Sequence, residues 1–387
     1  MFTTPENEIL VPEELLTHLH RGRPVAMGVS GGKDSGALAL SLTEYLDSIN
    51  HPKEKRVLIH SDLGSIEWKE SLEWCQKLSE KVSTPLIVVS RKAGGMIERW
   101  ETRWKNNWER YHKIECLRLI LPWSTASMRF CTSELKTDII CRELKKRFPG
   151  ETIISAIGIR ADESPNRAKA PIFKIQPKLQ GKTTHGFDWS PIKIWTLENV
   201  KAIHTRCDFP LHPAYTQFGS SRVSCSFCIL ATANDQTSAL RQPHNHFAYK
   251  LLCDLELRSA FSFQGTRWLC DLDPELRESL LPNSGIQLAT AKKAAIERQR
   301  LEALLPKDLN FEKGKQWPPR KITDNEAELM ANVRNQILAL YHDIEETRAQ
   351  KGITPFTPSE NPQFIKSTLN TRVENNSGAV QLELLTT

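Results

Sequence analysis

The stretch that decides the fold is residues 24–45, PVAMGVSGGKDSGALALSLTEY. Its first part, residues 24–29, is a short apolar run that is typical of a buried strand. Its last part, from Asp34 to about Tyr45, is rich in alanine and leucine and predicts a helix. A glycine-rich turn separates the two. The order of strand, glycine turn and helix is typical of a site where an anion binds at the N-terminus of the helix.

The turn itself, Ser30-Gly31-Gly32-Lys33-Asp34-Ser35, has the chemistry of a phosphate-binding loop. The two glycines let the backbone approach a polyanion closely, and the free N–H groups at the start of the helix attract it. Lys33 adds a full positive charge, and Ser30 and Ser35 add hydroxyl donors. The loop is not a Walker loop, because the G-x-x-x-x-G-K-[ST] spacing is absent.

The first two-thirds of the chain alternate between strand-like and helix-like patterns. Further strands are predicted at 56–60, 85–90 and 151–158, and helices at 66–82, 93–120 and 134–148. This alternation predicts an α/β fold in which helices cover both faces of a parallel sheet. In such sheets, ligands bind beyond the carboxyl ends of the strands.

The pattern changes after the fourth predicted strand. Residues 160–193 are rich in lysine and arginine and are interrupted by proline and glycine, which predicts a long basic loop or hairpin. A short helix is predicted at 197–206, and helical patterns return from about residue 244. We therefore expect a nucleotide-binding domain at 1–235, a helical C-terminal region at 236–352 and a flexible tail at 353–387.

The composition is that of an ordinary globular protein. Of 387 residues, 39% are hydrophobic and 25% are charged, with a net charge of +6. These values exclude collagen, a coiled coil along the whole chain and global disorder. There is no apolar run long enough to cross a bilayer and no secretory signal, so we expect a cytoplasmic protein with no membrane partner. The odd number of cysteines, nine, argues against a disulfide framework.

Further sequence blocks follow the loop in a fixed order. They are His60 to Gly64 (HSDLG) with Glu67 and Trp68, Arg129 to Lys136 (RFCTSELK), Gly158 to Ser164 (GIRADES) with Arg167, Trp189 to Trp195 (WSPIKIW), His212 to Tyr215 (HPAY) and Gly219 to Cys228 (GSSRVSCSFC). In this order, over residues 24–230, the chain resembles the phosphoadenosine phosphosulfate (PAPS) reductase family. That family is part of the PP-loop ATP pyrophosphatase superfamily.

The resemblance implies an adenine nucleotide alpha-hydrolase-like fold and a set of site residues. Phosphate or sulfate would be held by Ser30, Gly31, Gly32, Lys33, Asp34 and Ser35. Asp62 would lie at a strand end near the nucleotide, although capping a helix is its alternative role. Lys33, Asp34 and Asp62 are thus the candidate catalytic residues.

The resemblance also implies cationic side chains around the anion. Arg160 and Arg167 would clamp anionic oxygens, as guanidinium groups do. Alternatively, both arginines are part of a basic loop that is exposed to solvent. Lys136 would act likewise, or would lie on a helix surface.

The chain departs from the PAPS reductases at its cysteines. Those enzymes use a C-terminal cysteine that attacks the sulfur, whereas the last cysteine here is Cys270, in a WLCD sequence that does not match their motif. Without a nucleophilic thiol, the usual reduction has no attacking atom. The sequence therefore disfavours sulfonucleotide reduction.

Three other cysteines match positions that hold an iron–sulfur cluster in some members of the family: Cys131, Cys225 and Cys228. Four thiolates normally complete such a cluster. Either another cysteine supplies the fourth ligand, or one iron is open, or the cluster is lost. A zinc site of Cys225 and Cys228 with His244 and His246 is a further alternative.

A tryptophan stripe repeats every four residues at Trp100, Trp104 and Trp108, flanked by arginines. Such a stripe is usually part of a core or a subunit interface. The alternative is a surface that stacks nucleic-acid bases, and the basic segment 160–193 would then contact the backbone of that nucleic acid.

Three functions remain open. The first is an enzyme that uses ATP and Mg²⁺ to adenylate a substrate for sulfur transfer, similar to DNA phosphorothioation enzymes. The second is a PAPS or adenylyl-sulfate reductase. The third is a non-catalytic nucleotide-binding subunit of a nucleic-acid or defence assembly. The partners expected across these functions are an adenine nucleotide, a nucleic acid, a protein complex or a second copy of the chain.

Overall fold

The computed structural model describes residues 9–310, 316–348 and 361–384. The chain divides into two compact units. Unit 1 is formed by Met1–Glu98 and Ser124–Tyr249, and unit 2 by Arg99–Trp123 and Lys250–Thr387. The unit boundary therefore lies beyond the expected position at residue 235, and residues 99–123 leave unit 1 to join unit 2.

Unit 1 is built on a six-stranded sheet. Its strands are β1 (Val25–Val29), β2 (Arg56–Asp62), β3 (Leu86–Ser90), β4 (Thr152–Ala156), β5 (Phe173–Ile175) and β6 (His185–Trp189). Their spatial order is β3-β2-β1-β4-β6-β5. All neighbouring pairs are parallel except β5 and β6, which are antiparallel. The predicted α/β fold with a parallel sheet is confirmed.

Helices connect the strands and make up most of unit 2. In chain order they are α1 (Glu13–His20), α2 (Lys33–Ser48), α3 (Ser71–Lys81), α4 (Met96–His112), α5 (Phe130–Thr132), α6 (Asp138–Arg147), α7 (Pro165–Lys169), α8 (Leu197–Arg206), α9 (Pro213–Thr216), α10 (Ala233–Leu240), α11 (His246–Ser259), α12 (Pro274–Leu280), α13 (Ser284–Glu302), α14 (Asp324–Arg348) and α15 (Pro362–Leu384). A π-helical turn, Ser133–Thr137, joins α5 to α6.

The core of unit 1 lies on both faces of the sheet because successive strand residues point to opposite sides. Val25 and Met27 of β1 pack on one face with residues of α2, α3 and α8. Ala26 packs on the other face with residues of α6, including Leu144. The central strands are therefore covered on both sides, which explains why they read as continuous apolar runs.

The basic segment 160–193 is more ordered than a loop. It contains α7, the antiparallel pair β5 and β6, and two short 3₁₀ turns, Ala161–Glu163 and Pro177–Leu179. Many of its cations are already paired: Lys178 contacts Asp138, and Lys193 donates to the carbonyl of Ala170. These contacts leave fewer of its charges to meet a nucleic-acid backbone.

The tryptophan stripe lies in the core of unit 2, so the base-stacking alternative is wrong. Trp100, Trp104 and Trp108 are all buried. Trp108 lies 4.8 Å from the ring of Tyr341, and Trp100 meets Trp123 edge-on at 5.5 Å. Rings enclosed by other side chains cannot take a nucleic-acid base on their faces.

The expected flexible tail is wrong for residues 362–384, which form α15. The helix is anchored by Ile365 and Leu369, which are fully buried four residues apart on one face. Arg372 donates to the carbonyl of Ile114, and Lys321 pairs with Glu374 at 2.5 Å. Residues 353–360 and 385–387 of the expected tail lie outside the described residues.

Across the described ranges, the structure contains no helix with both the length and the apolar character to span a membrane.

Candidate functional site

The predicted phosphate loop, residues 30–35, lies at the carboxyl end of β1. The chain leaves β1 at Val29, turns through Ser30 and Gly31, and enters α2 at Lys33. Gly31 has a φ of +73°, a conformation that favours glycine because it lacks a Cβ atom. A Cβ atom at Gly31 would also lie 3.2 Å from Cα of Ser71 at the start of α3. The glycine thus permits both the sharp turn and the close packing of α3 behind it.

The loop presents a row of unused backbone donors. Among the described residues, the N–H groups of Gly31, Gly32, Asp34 and Ser35 have no hydrogen-bond acceptor. Free N–H groups at a helix N-terminus form a ready anion site. The Ser30 N–H donates instead to Oγ of Ser35 at 3.2 Å, and this hydroxyl donates to the Gly32 carbonyl at 2.9 Å. Ser30 and Ser35 therefore stabilise the loop through hydrogen bonds between its own residues.

The first turn of α2 is packed tightly on two sides. A Cβ atom at Gly36 would lie 2.8 Å from Cε1 of His204 on α8. A Cβ atom at Gly158, just after β4, would lie 2.7 Å from the carbonyl oxygen of Asp34. His204 Nε2 also lies 2.8 Å from the carbonyl oxygen of Lys33. These approaches fix the position of the helix that carries the loop.

Lys33, Asp34 and Arg160 form one charged group beside the loop. Arg160 Nε donates to Asp34 Oδ1 at 2.6 Å, and Lys33 Nζ lies 3.6 Å from Asp34 Oδ2. Arg160 also donates to Asp162 Oδ2 at 2.5 Å. Arg160 is almost fully buried and is engaged by two carboxylates, so in this structure it holds Asp34 rather than presenting a free fork to an anion.

Two further residues contact the loop that the sequence did not assign a role. The Tyr215 hydroxyl accepts the Lys33 N–H at 3.3 Å, and the Lys33 ammonium lies 4.7 Å from the centre of the Tyr215 ring. The carbonyl of Ser221 accepts from Lys33 Nζ at 3.4 Å. Ser221 is fixed in turn by Asp235, which accepts its N–H at 2.7 Å. Tyr215 is part of the HPAY motif, but only the structure shows its contact with Lys33.

Asp62 lies at the carboxyl end of β2, the strand next to β1. Its Oδ1 accepts the N–H of Gly64 at 2.7 Å, so it stabilises a turn and does not cap α3, which begins at Ser71. Its Oδ2 meets no donor within the described parts of the chain. One available carboxylate oxygen suits Mg²⁺, which proteins often bind through one or two carboxylates together with substrate phosphates.

A cavity of about 330 Å³ opens beside Asp62. It is lined by His60, Asp62, Gly64, Ser65, Glu67, Trp68, Lys69, Leu72, His244 and Phe247. Aromatic and aliphatic walls with a few polar groups are typical of a small-molecule site. The cavity and the phosphate loop thus occupy the ends of adjacent strands, where the fold is expected to bind its ligand.

His60 carries a buried positive charge next to this cavity. Its Nε2 lies 3.0 Å from Glu67 Oε2, and its Nδ1 lies 3.1 Å from the Val29 carbonyl oxygen. Burial lowers the pKa of His60, but its hydrogen bonds with Cys75 and Glu67 outweigh burial and raise the pKa to about 10. The protonated ring therefore fixes the Glu67 carboxylate at the cavity wall.

His212, unlike His60, is uncharged near pH 7. It is 1% exposed, and its Nδ1 accepts the Ala214 N–H at 3.0 Å at the start of α9. Burial lowers its pKa to about 4, so the ring is neutral near pH 7. Its Nε2 has no hydrogen-bond partner among the described residues. A Cβ atom at Gly31 would lie 3.2 Å from the adjoining Cδ2, so the ring packs directly against the loop.

The other two predicted cations do not reach the loop in this structure. Arg167 on α7 pairs with Glu163 one turn earlier. Lys136 lies on the π-helical turn, where its charge acts on Cys225. Their anion-binding roles stay predictions.

The predicted metal cysteines, Cys131, Cys225 and Cys228, lie in one neighbourhood. Burial raises the pKa of Cys225, Cys228 raises it further and Cys131 adds to this, while Lys136 acts in the opposite direction. No three His, Cys, Asp or Glu side chains of residues 9–310, 316–348 and 361–384 are grouped so that they could hold a metal ion. The iron–sulfur cluster and the alternative zinc site therefore stay predictions, and no step is derived through either.

Comparison with known proteins agrees with these motifs. A crystal structure of PAPS reductase from Candida auris, in complex with phosphate, is 12% identical, with a TM-score of 0.33, covering 56% of this chain and 97% of that chain. No curated protein matches the chain. The family model of the phosphoadenosine phosphosulfate reductase domain matches residues 24–231, more than half of the chain. The chain therefore belongs to the phosphoadenosine phosphosulfate reductase family, a family of enzymes with a nucleotide-binding fold.

Proposed function

We propose that the protein binds ATP, or a related adenylyl nucleotide, and activates a substrate by adenylation for sulfur transfer. A nucleophilic oxygen of the acceptor attacks the α-phosphorus of ATP, and the bond to pyrophosphate breaks. Sulfide then forms a bond to the activated atom of the acceptor, and the bond from that atom to the AMP oxygen breaks, so that AMP leaves. The nucleotide is expected to place its phosphates on the loop at residues 30–35.

The observation that carries this proposal is the row of unused N–H groups at Gly31, Gly32, Asp34 and Ser35, with Lys33 among them. Preorganised donors of this kind stabilise negative charge as it develops during attack at phosphorus. Because the donors are fixed before the ligand arrives, little reorganisation is needed at the moment of reaction.

Each candidate catalytic residue has a distinct part in this proposal. Lys33 neutralises charge on the phosphates, and Asp34 holds the Lys33 ammonium in place through their 3.6 Å contact. Asp62 offers its available carboxylate oxygen to Mg²⁺. When bound, Mg²⁺ supplies further neutralisation of the phosphate charge.

Five of the nine cysteines favour adenylation over thiol-based reduction. Burial raises the pKa values of Cys116, Cys141, Cys207, Cys225 and Cys270. A thiol with a raised pKa is mostly protonated and is a poor nucleophile. Family membership nevertheless supports a PAPS or adenylyl-sulfate reductase as the second candidate, so both activities are assayed together.

The test uses full-length protein purified without oxygen. One reaction contains Mg-ATP and is analysed for AMP and pyrophosphate by chromatography. A parallel reaction contains PAPS with a thiol donor and is analysed for sulfite. Lys33→Ala and Asp62→Asn are expected to abolish nucleotide turnover. Lys201→Ala, which changes an exposed lysine on α8, serves as the matched control and is expected to retain it.

The outcomes separate the three functions. AMP and pyrophosphate that disappear in Lys33→Ala would support adenylation. Sulfite from PAPS would establish the reductase instead. Binding of ATP in calorimetry, with no turnover in the presence of candidate acceptors and sulfur donors, would favour a non-catalytic nucleotide-binding subunit.

A further inference from the structure

Tyr215 lies beside the phosphate loop, where two backbone N–H groups hold its hydroxyl oxygen. It lies on the short helix α9, whose N-cap residue is His212. The Lys33 N–H donates to the Tyr215 hydroxyl at 3.3 Å, and the Val223 N–H donates to the same oxygen at 3.1 Å. The hydroxyl therefore joins the first residue of α2 to the segment that leads into Cys225.

The hydroxyl has one hydrogen-bonding group still unused. A tyrosine oxygen accepts through its lone pairs and donates through its single hydrogen. Both contacts of Tyr215 are N–H groups, so the oxygen acts as acceptor in each. Among the described residues, nothing accepts its hydrogen. A hydroxyl that is largely buried with an unused hydrogen gains from a new acceptor.

The hydroxyl oxygen lies where the loop gathers its anion donors. A Cβ atom at Gly32 would lie 3.6 Å from the Tyr215 oxygen, so the hydroxyl borders the loop backbone directly. The Lys33 ammonium lies over the Tyr215 ring at 4.7 Å. An anion bound by the Gly31 and Gly32 N–H groups would thus lie beside the hydroxyl.

We propose that the Tyr215 hydroxyl is a further phosphate-binding group, which donates its hydrogen to an anionic oxygen held on the loop. The proposal rests on the nucleotide binding proposed above and adds one neutral donor to it. Burial raises the pKa of Tyr215 to about 12, so the phenol keeps its hydrogen near neutral pH. The charged groups that face it are Lys33, Asp34 and Arg222.

The first experiment measures binding by calorimetry for Tyr215→Phe and wild type. The ligands are Mg-ATP and inorganic pyrophosphate. Losing a hydrogen bond to a charged oxygen is expected to weaken both ligands by about 10- to 100-fold. Tyr45→Phe, which changes a half-buried tyrosine on α2, is the matched control and is expected to bind as wild type.

A second variant separates donation from the support that the oxygen gives to Lys33 and Val223. Replacing Tyr215 with 3,5-difluorotyrosine keeps the ring and oxygen but lowers the pKa of the phenol. A phenolate still accepts the two N–H groups, yet it can no longer donate. Pyrophosphate affinity in this variant is therefore expected to fall as the pH rises through the lowered pKa, while wild-type affinity changes little over that range.

The results distinguish the two proposals. If wild type binds Mg-ATP and pyrophosphate but Tyr215→Phe binds them equally well, the donor role of Tyr215 is wrong and the proposed function stands. Pyrophosphate affinity that is unchanged or tighter in the ionised difluorotyrosine variant would also overturn the donor role. If wild type binds neither ligand, both proposals fail.

Discussion

The guanidinium group of Arg160 forms a salt bridge with the carboxylate of Asp34, with 2.6 Å between Nε and Oδ1. The pair joins the segment after β4 to the second residue of α2, across 126 positions of sequence. Both side chains are largely shielded from water. Removing either partner would therefore leave the other charge poorly solvated and unpaired.

We expect Arg160→Met to lower the free energy of unfolding by about 3 kcal/mol, because Asp34 and Asp162 lose their common partner. Urea unfolding of the full chain measures the change. The double variant Arg160→Met with Asp34→Asn is expected to recover part of the loss. A single variant as stable as wild type would show that the pair contributes little.

Gly158 tests how closely the segment after β4 must approach the loop. A Cβ atom there would lie 2.7 Å from the carbonyl oxygen and 2.9 Å from the carbonyl carbon of Asp34, which are backbone atoms that cannot rotate away. We expect Gly158→Ala to shift the loop and to weaken Mg-ATP binding by about tenfold or more. Calorimetry measures the affinity.

The matched control is Gly181→Ala, where the new Cβ atom would lie 3.8 Å from the Thr184 carbonyl oxygen, an ordinary contact. This variant is expected to bind as wild type. Equal affinity in both variants would mean that the loop tolerates movement at this contact.

The protonation of His60 predicts a pH dependence of stability. Its pKa is raised from 6.5 to about 10 in the folded protein. The folded state therefore holds a proton that the unfolded state releases in this window. The stabilisation is fully present below pH 6.5 and is lost as the pH rises through about 10.

Glu67→Gln removes the carboxylate that faces His60 Nε2 at 3.0 Å. We expect this variant to lose less stability than wild type as the pH is raised, since its histidine holds the proton less tightly. Urea unfolding across the pH series measures this effect, and NMR of the His60 ring measures the pKa directly. A His60 resonance that titrates near pH 6.5 in wild type would contradict the prediction.

Ile365 tests whether α15 is a packed part of unit 2. Its side chain is fully buried, whereas the neighbouring Phe364 is 41% exposed. We expect Ile365→Ala to lower the free energy of unfolding by about 3 kcal/mol, as loss of a buried aliphatic side chain does. Phe364→Ala is expected to change it by less than about 1 kcal/mol. Equally small changes in the free energy of unfolding for the two variants would contradict the packing of α15 and support a loose tail.

The sequence predicted the parts of the fold that depend on local pattern. The run at 24–29 became β1, and the helix predicted at 197–206 matches α8 residue for residue. The loop motif and the order of alternating elements were sufficient for the parallel sheet. The alternation alone gave no sign that β5 would pair antiparallel with β6, because strand pairing is set by contacts distant in sequence.

Other features depend on long-range contacts and were missed for that reason. Ile365 and Leu369 have helical spacing, but the asparagine, serine and threonine around them are weak helix formers, so α15 read as a tail. The resemblance implied that Arg160 binds an anion, and nothing near it in sequence indicated its pairing with Asp34, which is 126 positions away. Tyr215 gave no signal of its loop contact, since nothing local distinguishes it from a core tyrosine.

The tight packing around the first turn of α2 determines how the loop discriminates between ligands. With the His204 ring on one side and the backbone after β4 on the other, its donors are set before any ligand arrives. The entropy of ordering them is lost during folding and not during binding. A preorganised set of N–H donors discriminates between anions by their shape. We expect tetrahedral oxyanions to match these donors, whereas planar carboxylates of equal charge would leave some donors without a partner.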